Sequence, residues 1–528
     1  MLALEMVVAI GLTIVLGSLL ARWLKIPQPV VLVLAGCCLA LIPALDGTGL
    51  PPELVLMLFL PALLYWESLT TSLREVRRFI RGVLLTGVVL VIITALSIAL
   101  VLNWMGVDWS VALLIGAALA PTDATAVAAF GRGLGRRPRV VLEAESLIND
   151  GTALVLYALA LGLVTGTADT GALPIAGQFG ISFGGGLVIG VAIGLLFWQA
   201  RRRIPDPVLA NAAAIVAPFL AYLLAEQVGA SGVLAVVACG LLTARFAPTF
   251  VTAEARQQGA GFWAMTTFLL NGALFVLVGL QLPSTVAGLS TDTVGHAILL
   301  VIAAYATMML TRFVFLVSSA YIIRLVDRRP YQRTLRVTNK ARLISTVAGF
   351  RGGISLAMAL AVPATVAAGG FASRDLVIFV TGLVVVLTLV IQGFALPRVI
   401  RWADLPQDRS EAEEIHLAQD VACQKVLDEL PEMARERGIS DDITQVIVEE
   451  FRRVQENLRA LDGSLEPSAP GAQVQAQQLI SLRLAAIDLE RSAVVKLRDD
   501  GVIDDPVLQT LQARFDADEL RFQAAQSD

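Results

Sequence analysis

The stretch Glu145-Ser146-Leu147-Ile148-Asn149-Asp150-Gly151 sits in the middle of a segment, residues 140–164, that is otherwise apolar enough to cross a bilayer. In a helix, Ser146 and Asp150 stand at i and i+4 and share a face. Glu145 and Asn149 form a second such pair beside them. An ionised aspartate at bilayer depth costs about 2.5–3.5 kcal/mol even on lenient insertion scales. Two carboxylates, an amide and a hydroxyl at that depth must line a polar cavity, hold a proton or face a cation.

The rest of the chain has the composition of a membrane protein. Of 528 residues 56% are apolar and 16% charged, with a mean hydropathy of +0.74; a soluble chain carries roughly 25% charged residues. The charge is unevenly placed. Residues 402–528 hold 27 Asp and Glu against 13 Lys and Arg, which leaves 17 acids and 27 bases for residues 1–401. Two parts are expected: a transmembrane domain over 1–401 and a cytoplasmic helical tail over 402–528, with regulation by a ligand or partner among the roles open to it. Cys37, Cys38, Cys239 and Cys423 form no C-x-x-C pair, and His296 and His416 are the only histidines, so no zinc site and no cofactor is expected. No nucleic-acid partner is expected either; lipid is. No Lys or Arg precedes Arg22, so the N-terminus lacks the basic region of a cleaved signal peptide.

Thirteen apolar segments, each near the length a bilayer needs, fall at about 3–22, 29–44, 51–67, 80–102, 109–130, 139–164, 178–200, 206–226, 230–245, 259–282, 294–324, 341–366 and 373–400. Basic residues follow the odd-numbered ones. Arg74, Arg77, Arg78 and Arg81 follow the third, and Arg132, Arg136, Arg137 and Arg139 the fifth. Arg201, Arg202 and Arg203 follow the seventh, Arg245 and Arg256 the ninth, and Arg328, Arg329, Arg333, Arg336 and Lys340 the eleventh. The intervening loops 45–50, 103–108, 165–177, 283–293 and 367–372 contain neither Lys nor Arg. The positive-inside rule then places the N-terminus outside and the tail in the cytoplasm of a multi-pass plasma (inner) membrane protein.

Two segments are interrupted. Residues 109–130 carry Ala120-Pro121-Thr122-Asp123 at mid-depth, where proline removes a donor and frees carbonyls. Residues 341–366 carry Gly349-Phe350-Arg351-Gly352-Gly353, permissive backbone around a charge. Paired broken helices point to a transporter site built from inverted repeats. The tail reads as amphipathic helix over 411–461, a linker over 463–478 and further helix over 479–526.

The buried polar set of the membrane part is Glu67, Asp123, Glu145, Asp150, Arg312 and Arg351, with Thr122, Ser146 and Asn149 around it. Read blandly, it is an ion-paired network that holds helices together. Read as a site, Thr122, Asp123, Ser146 and Asp150 offer the hard oxygens that Na+ prefers, and no soft ligand lies nearby in sequence. Arg312 is expected to form a structural ion pair with Glu145. Arg351 either pairs with another acid or offsets carbonyl dipoles at its break, and Glu67 is either interfacial or part of the site. If Asp150 holds either a proton or a cation, the two compete for one group, and an alternating site becomes an antiporter.

The pairing of P-T-D (121–123) with E-S-L-I-N-D-G (145–151), and the later F-R-G-G (350–353), resembles the monovalent cation/proton antiporter superfamily, in the bacterial-type sodium/proton exchanger branch with Asn-Asp on the sixth helix. The resemblance spans about residues 1–400. It implies an all-α homodimer of thirteen-helix protomers, in which a mobile core moves against a dimerisation domain by an elevator mechanism. It also implies that Asp150 is the cation and proton carboxylate, that Thr122, Asp123 and Ser146 coordinate or shape the site, and that Asn149 orients the broken helix. Glu145 pairs with Arg312 in this scheme, and Glu67 contributes through water. Where many relatives have Trp four residues before the arginine, this chain has Val347, so Na+, Li+ and K+ stay open as the transported ion. Two other classes fit these residues less well. An intramembrane aspartyl protease would show Tyr-Asp and Gly-x-Gly-Asp contexts, which neither Asp123 nor Asp150 has, so no enzyme is expected. A cation channel would use a ring of filter carbonyls in place of discrete carboxylates at broken helices.

Overall fold

A computed structural model describes residues 2–42, 52–71, 80–131, 134–165, 172–247, 251–287, 291–326, 338–363, 373–404 and 410–461, with a few more near 515–519. Helices occupy every stretch read as an apolar segment, and no strand occurs among the described residues. The basic loops over 72–79 and 327–337 and the linker over 463–478 lie outside them, as does nearly all of 479–526.

In chain order the helices are α1 Leu2–Leu24, α2 Gln28–Leu39, α3 Pro52–Thr70, α4 Ile80–Trp104, α5 Trp109–Leu119 and α6 Ala124–Phe130. There follow α7 Arg136–Thr165, α8 Ala172–Arg201, α9 Pro207–Gln227, α10 Gly232–Phe246, α11 Ala253–Ala287 and α12 Thr291–Val326. The membrane part ends with α13 Asn339–Val347, α14 Gly353–Leu360 and α15 Arg374–Ala403. Among the described residues, α1, α4, α7 to α9, α11, α12 and α15 are long and apolar enough to cross a membrane.

The breaks follow their sequences. Helix α5 stops at Leu119, and Asp123 opens α6 as its N-cap, its carboxylate accepting from Thr125 N–H at 2.8 Å. Helix α13 stops at Val347, and α14 restarts only after Gly352. Helices α4 and α15 each carry one wider turn, a π-helical segment at Leu85–Leu90 and at Thr388–Gln392. Elsewhere close packing rests on small residues: a Cβ at Gly36 would meet the Val276 carbonyl oxygen and the backbone of Gly279, so α2 and α11 touch main chain to main chain.

The chain divides into two compact units, Met1–Pro406 and Gln407–Asp528. In the second, the stretch read as a single amphipathic helix is two helices, α16 Ser410–Glu436 and α17 Asp441–Leu461. The reason is Gly438, whose φ of +68° ends α16 while Ile439 N–H reaches back to the Ala434 carbonyl at 2.9 Å. The two helices pack together, with Gln455 donating to Gln424 at 3.0 Å.

Candidate functional site

The two breaks meet each other. Asp123 N–H donates to the Phe350 carbonyl at 2.9 Å, so one extended peptide is bonded across to the other. A side chain at 352 would overlap the Asp123 carboxylate, which places that carboxylate against the start of α14 as well as at the start of α6. Helix N-termini carry partial positive charge and suit a carboxylate.

Helix α7 stitches the first break from one side. The Ser146 hydroxyl donates to the Thr122 carbonyl at 2.8 Å and accepts from Ala124 N–H at 3.2 Å. Asn149 donates to the Thr122 hydroxyl at 2.6 Å, and its own Oδ1 is buried without a partner among the described residues. Both residues are buried, as is Asp150 one turn beyond Ser146.

Asp150 makes no hydrogen bond among the described residues; it opens into a cavity of about 210 Å³. Glu67, Thr122, Asp123, Ser146 and Asp150 share that cavity, with Glu143, Asn271 and Ser355. Its described lining holds four carboxylates and no Lys or Arg. Glu67 therefore faces the cavity, and one of its carboxylate oxygens, Oε1, is buried without a hydrogen-bond partner. Thr70 and Thr71 at the end of α3 and Thr267 in the first half of α11 line it too. Hard oxygens and four carboxylates, with no Lys or Arg in the described lining, are chemistry that suits a small cation or a proton.

The arginines stand apart, each on freed carbonyls. Arg312 Nη1 lies 2.5 Å from Glu145 Oε1, both side chains buried, while its Nε donates to the Ser345 carbonyl at the end of α13 at 3.0 Å. Arg351 donates from Nε to the Leu119 carbonyl at the end of α5, and from Nη1 to the Gly349 carbonyl, both at 2.6 Å. It forms no ion pair among the described residues. Of its two expected roles the carbonyl one is what the geometry displays.

Glu143, Asn271 and Ser355 line the cavity without being among the residues expected from the sequence. Glu143 had a signal: with Ser146 and Asp150 it stands at i, i+3 and i+7 of α7. Asn271 and Ser355 had none, since only the packing of α11 and α14 brings them to the cavity.

A family model described as sodium/hydrogen exchanger, transmembrane, matches residues 10–402. A Mycobacterium tuberculosis protein described as an uncharacterized Na+/H+ exchanger is 38% identical over 98% of this chain and 96% of its own length. The Na+/H+ antiporter ApNhaP of Aphanothece halophytica is 31% identical over 73% of this chain and 71% of its own. Among solved structures, the sodium proton antiporter MjNhaP1 of Methanocaldococcus jannaschii matches with a TM-score of 0.62 at 19% identity, covering 77% of this chain and all of that one. The last match speaks to the fold alone.

Proposed function

This chain belongs to the sodium/hydrogen exchanger family, and from that premise we propose that it exchanges Na+ for H+, one for one, with Asp150 as the carboxylate that holds either ion. The observation that carries the reading is the environment of Asp150: a buried carboxylate opening into a cavity with Glu67 and Asp123 and no basic side chain in its described lining. Thr122, Asp123 and Ser146 supply or shape the remaining oxygens, and Glu67 reaches the ion through water. Asn149 orients the first break, Glu145 and Arg312 hold the core together, and Arg351 offsets the dipoles of the broken ends.

The positive-inside pattern puts the N-terminus outside and the tail in the cytoplasm of the inner membrane. On that orientation the side of the cavity lined by Thr70 and Thr71, at the end of α3, lies toward the cytoplasm. Transport then needs the core helices, with both breaks, to carry the site across against a scaffold formed in a homodimer: an elevator movement. Residues 402–528 are a separate module whose effect on transport is regulatory.

Purified protein in proteoliposomes tests the reading. Imposing a sodium gradient should drive proton movement in the opposite direction, with Na+, Li+ and K+ compared for rate. Cation flux that proceeds equally without any counter-movement of protons would identify a channel and end the antiporter reading.

A further inference from the structure

Gln392 and Thr388 belong to the π-helical turn of α15, and both are buried in the membrane part. Thr388 Oγ1 accepts from Arg351 N–H at 3.2 Å and donates to the Val385 carbonyl at 2.7 Å. One arm of the Gln392 amide contacts Met309 Sδ at 2.9 Å. The other faces the carbonyls of Val347 and Gly349, so the nitrogen belongs on that side, where it donates to them at 3.0 and 3.2 Å. These are carbonyls that the end of α13 leaves without helical partners. The wider turn matters because it inserts an extra residue into α15 where both side chains address one short stretch, 347–351.

That stretch is also the one that holds Asp123. Phe350, between the two peptides that Gln392 and Thr388 grip, presents the carbonyl that receives Asp123 N–H. Four groups therefore fix two successive peptides on either side of Phe350: the Gln392 amide and the Arg351 guanidinium on the Gly349 carbonyl, the Thr388 hydroxyl on Arg351 N–H, and Asp123 N–H on the Phe350 carbonyl. We infer that Gln392 and Thr388 are positioning residues for the exchange, holding the second break in the one register that keeps the Asp123 carboxylate in the cavity. Neither lines the cavity, so their influence on the ion passes through the break itself, by way of the Phe350–Asp123 bond and of Gly352 against the Asp123 carboxylate. Loosening that grip moves a cation-facing carboxylate and weakens cation affinity ahead of turnover or stability. The inference rests on the proposed cation exchange at this site.

The experiment reconstitutes wild type, Gln392→Met, Thr388→Val and Thr388→Ser, and measures sodium-driven proton flux together with the thermal stability of each purified protein. Methionine keeps the length of Gln392 without its donors, and valine keeps the shape of Thr388 without its acceptor. Loss of such bonds should raise the KM for Na+ by about three- to tenfold, with Vmax and Tm close to wild type. Thr388→Ser, which restores the hydroxyl, should return KM to the wild-type value. If Gln392→Met is not recovered folded, the Thr388→Val and Thr388→Ser pair decides alone. Wild-type flux with an unchanged KM in the variants overturns the inference and leaves the antiporter reading standing, as does a loss confined to Tm and Vmax. Absence of flux in the wild type would remove that reading, and this inference with it.

Discussion

Glu145 and Asp150 lie five residues apart on α7, equally buried, and their surroundings assign them opposite tasks. Glu145 meets a guanidinium at 2.5 Å; Asp150 meets a cavity shared with other carboxylates. A paired carboxylate has no use for a mobile ion, whereas an unpaired one at this depth must keep a proton or a cation with it. Asp150→Asn should therefore abolish sodium-driven proton flux in proteoliposomes while leaving a folded, membrane-inserted protein, because an amide keeps the shape and cannot exchange a proton for a cation. Appreciable flux in that variant would remove Asp150 from its role. Glu145→Ala should act on stability, since breaking a buried pair from one side costs about 3–5 kcal/mol. The Glu145→Ala/Arg312→Ala double variant should be less impaired than the two single losses added together, and a thermal-denaturation cycle reads this directly. Additive losses would mean that the contact contributes nothing of its own. At this scale the sequence carried much of the pattern: i, i+4 spacing set Ser146 with Asp150, and a lone arginine in the apolar run 308–317 called for an acid. It did not carry Glu67's position, because a carboxylate near a helix end looks the same whether it faces a cavity or the interface.

At the scale of elements, the arrangement at the breaks is one of opposed helix ends. The starts of α6 and α14 converge on the Asp123 carboxylate, while Arg312 and Arg351 meet the ends of α13 and α5. Arg374 adds a third case at the far end of α14, donating to the Val362 carbonyl at 2.8 Å. Each freed dipole is met by a charge of the right sign. Gly352 is the tightest point. A methyl group there would occupy the place of the Asp123 carboxylate, so Gly352→Ala must push either the peptide or the carboxylate aside. We expect transport to fall by tenfold or more, about 1.4 kcal/mol in the barrier. Gly261→Ala is the control, because a Cβ at that helical glycine meets nothing within 4 Å. It should leave flux unchanged and add a few tenths to about 1 kcal/mol of helix stability. Flux assays on the two variants side by side check this, and equal activity would show that the carboxylate need not stay where it is. The breaks themselves were legible, since Pro121 and the Gly352-Gly353 pair are strong interrupters. Their contact was not, because nothing local in P-T-D or F-R-G-G says that Asp123 N–H ends on Phe350. The π-helical turns were invisible for a similar reason: L-T-G-V-V-L and T-L-V-I-Q read as ordinary apolar helix, and nothing local in either stretch marks the wider turn.

For the whole molecule the decisive quantity is the charge carried in each half-cycle. Glu145 is paired with Arg312, and Arg351 is bound to the Leu119 and Gly349 carbonyls. Asn149 donates to Thr122 and adds no titratable group where an aspartate would. If Asp150 alone trades its proton for Na+, the loaded core has the same net charge in both directions and exchange is electroneutral. A second proton, taken up by Asp123 or Glu67, would make the cycle carry one net charge. The two cases differ by a measurable margin. One net charge across 100 mV amounts to about 2.3 kcal/mol, a shift of roughly fiftyfold in the sodium ratio at equilibrium. Proteoliposomes with a fixed sodium gradient and a potassium–valinomycin potential of either sign separate them. Rate and end-point should be the same at both signs of the potential. An end-point displaced by anything near fiftyfold would mean that a second carboxylate of the cavity titrates with Asp150, and the one-carboxylate cycle would give way to a two-proton one.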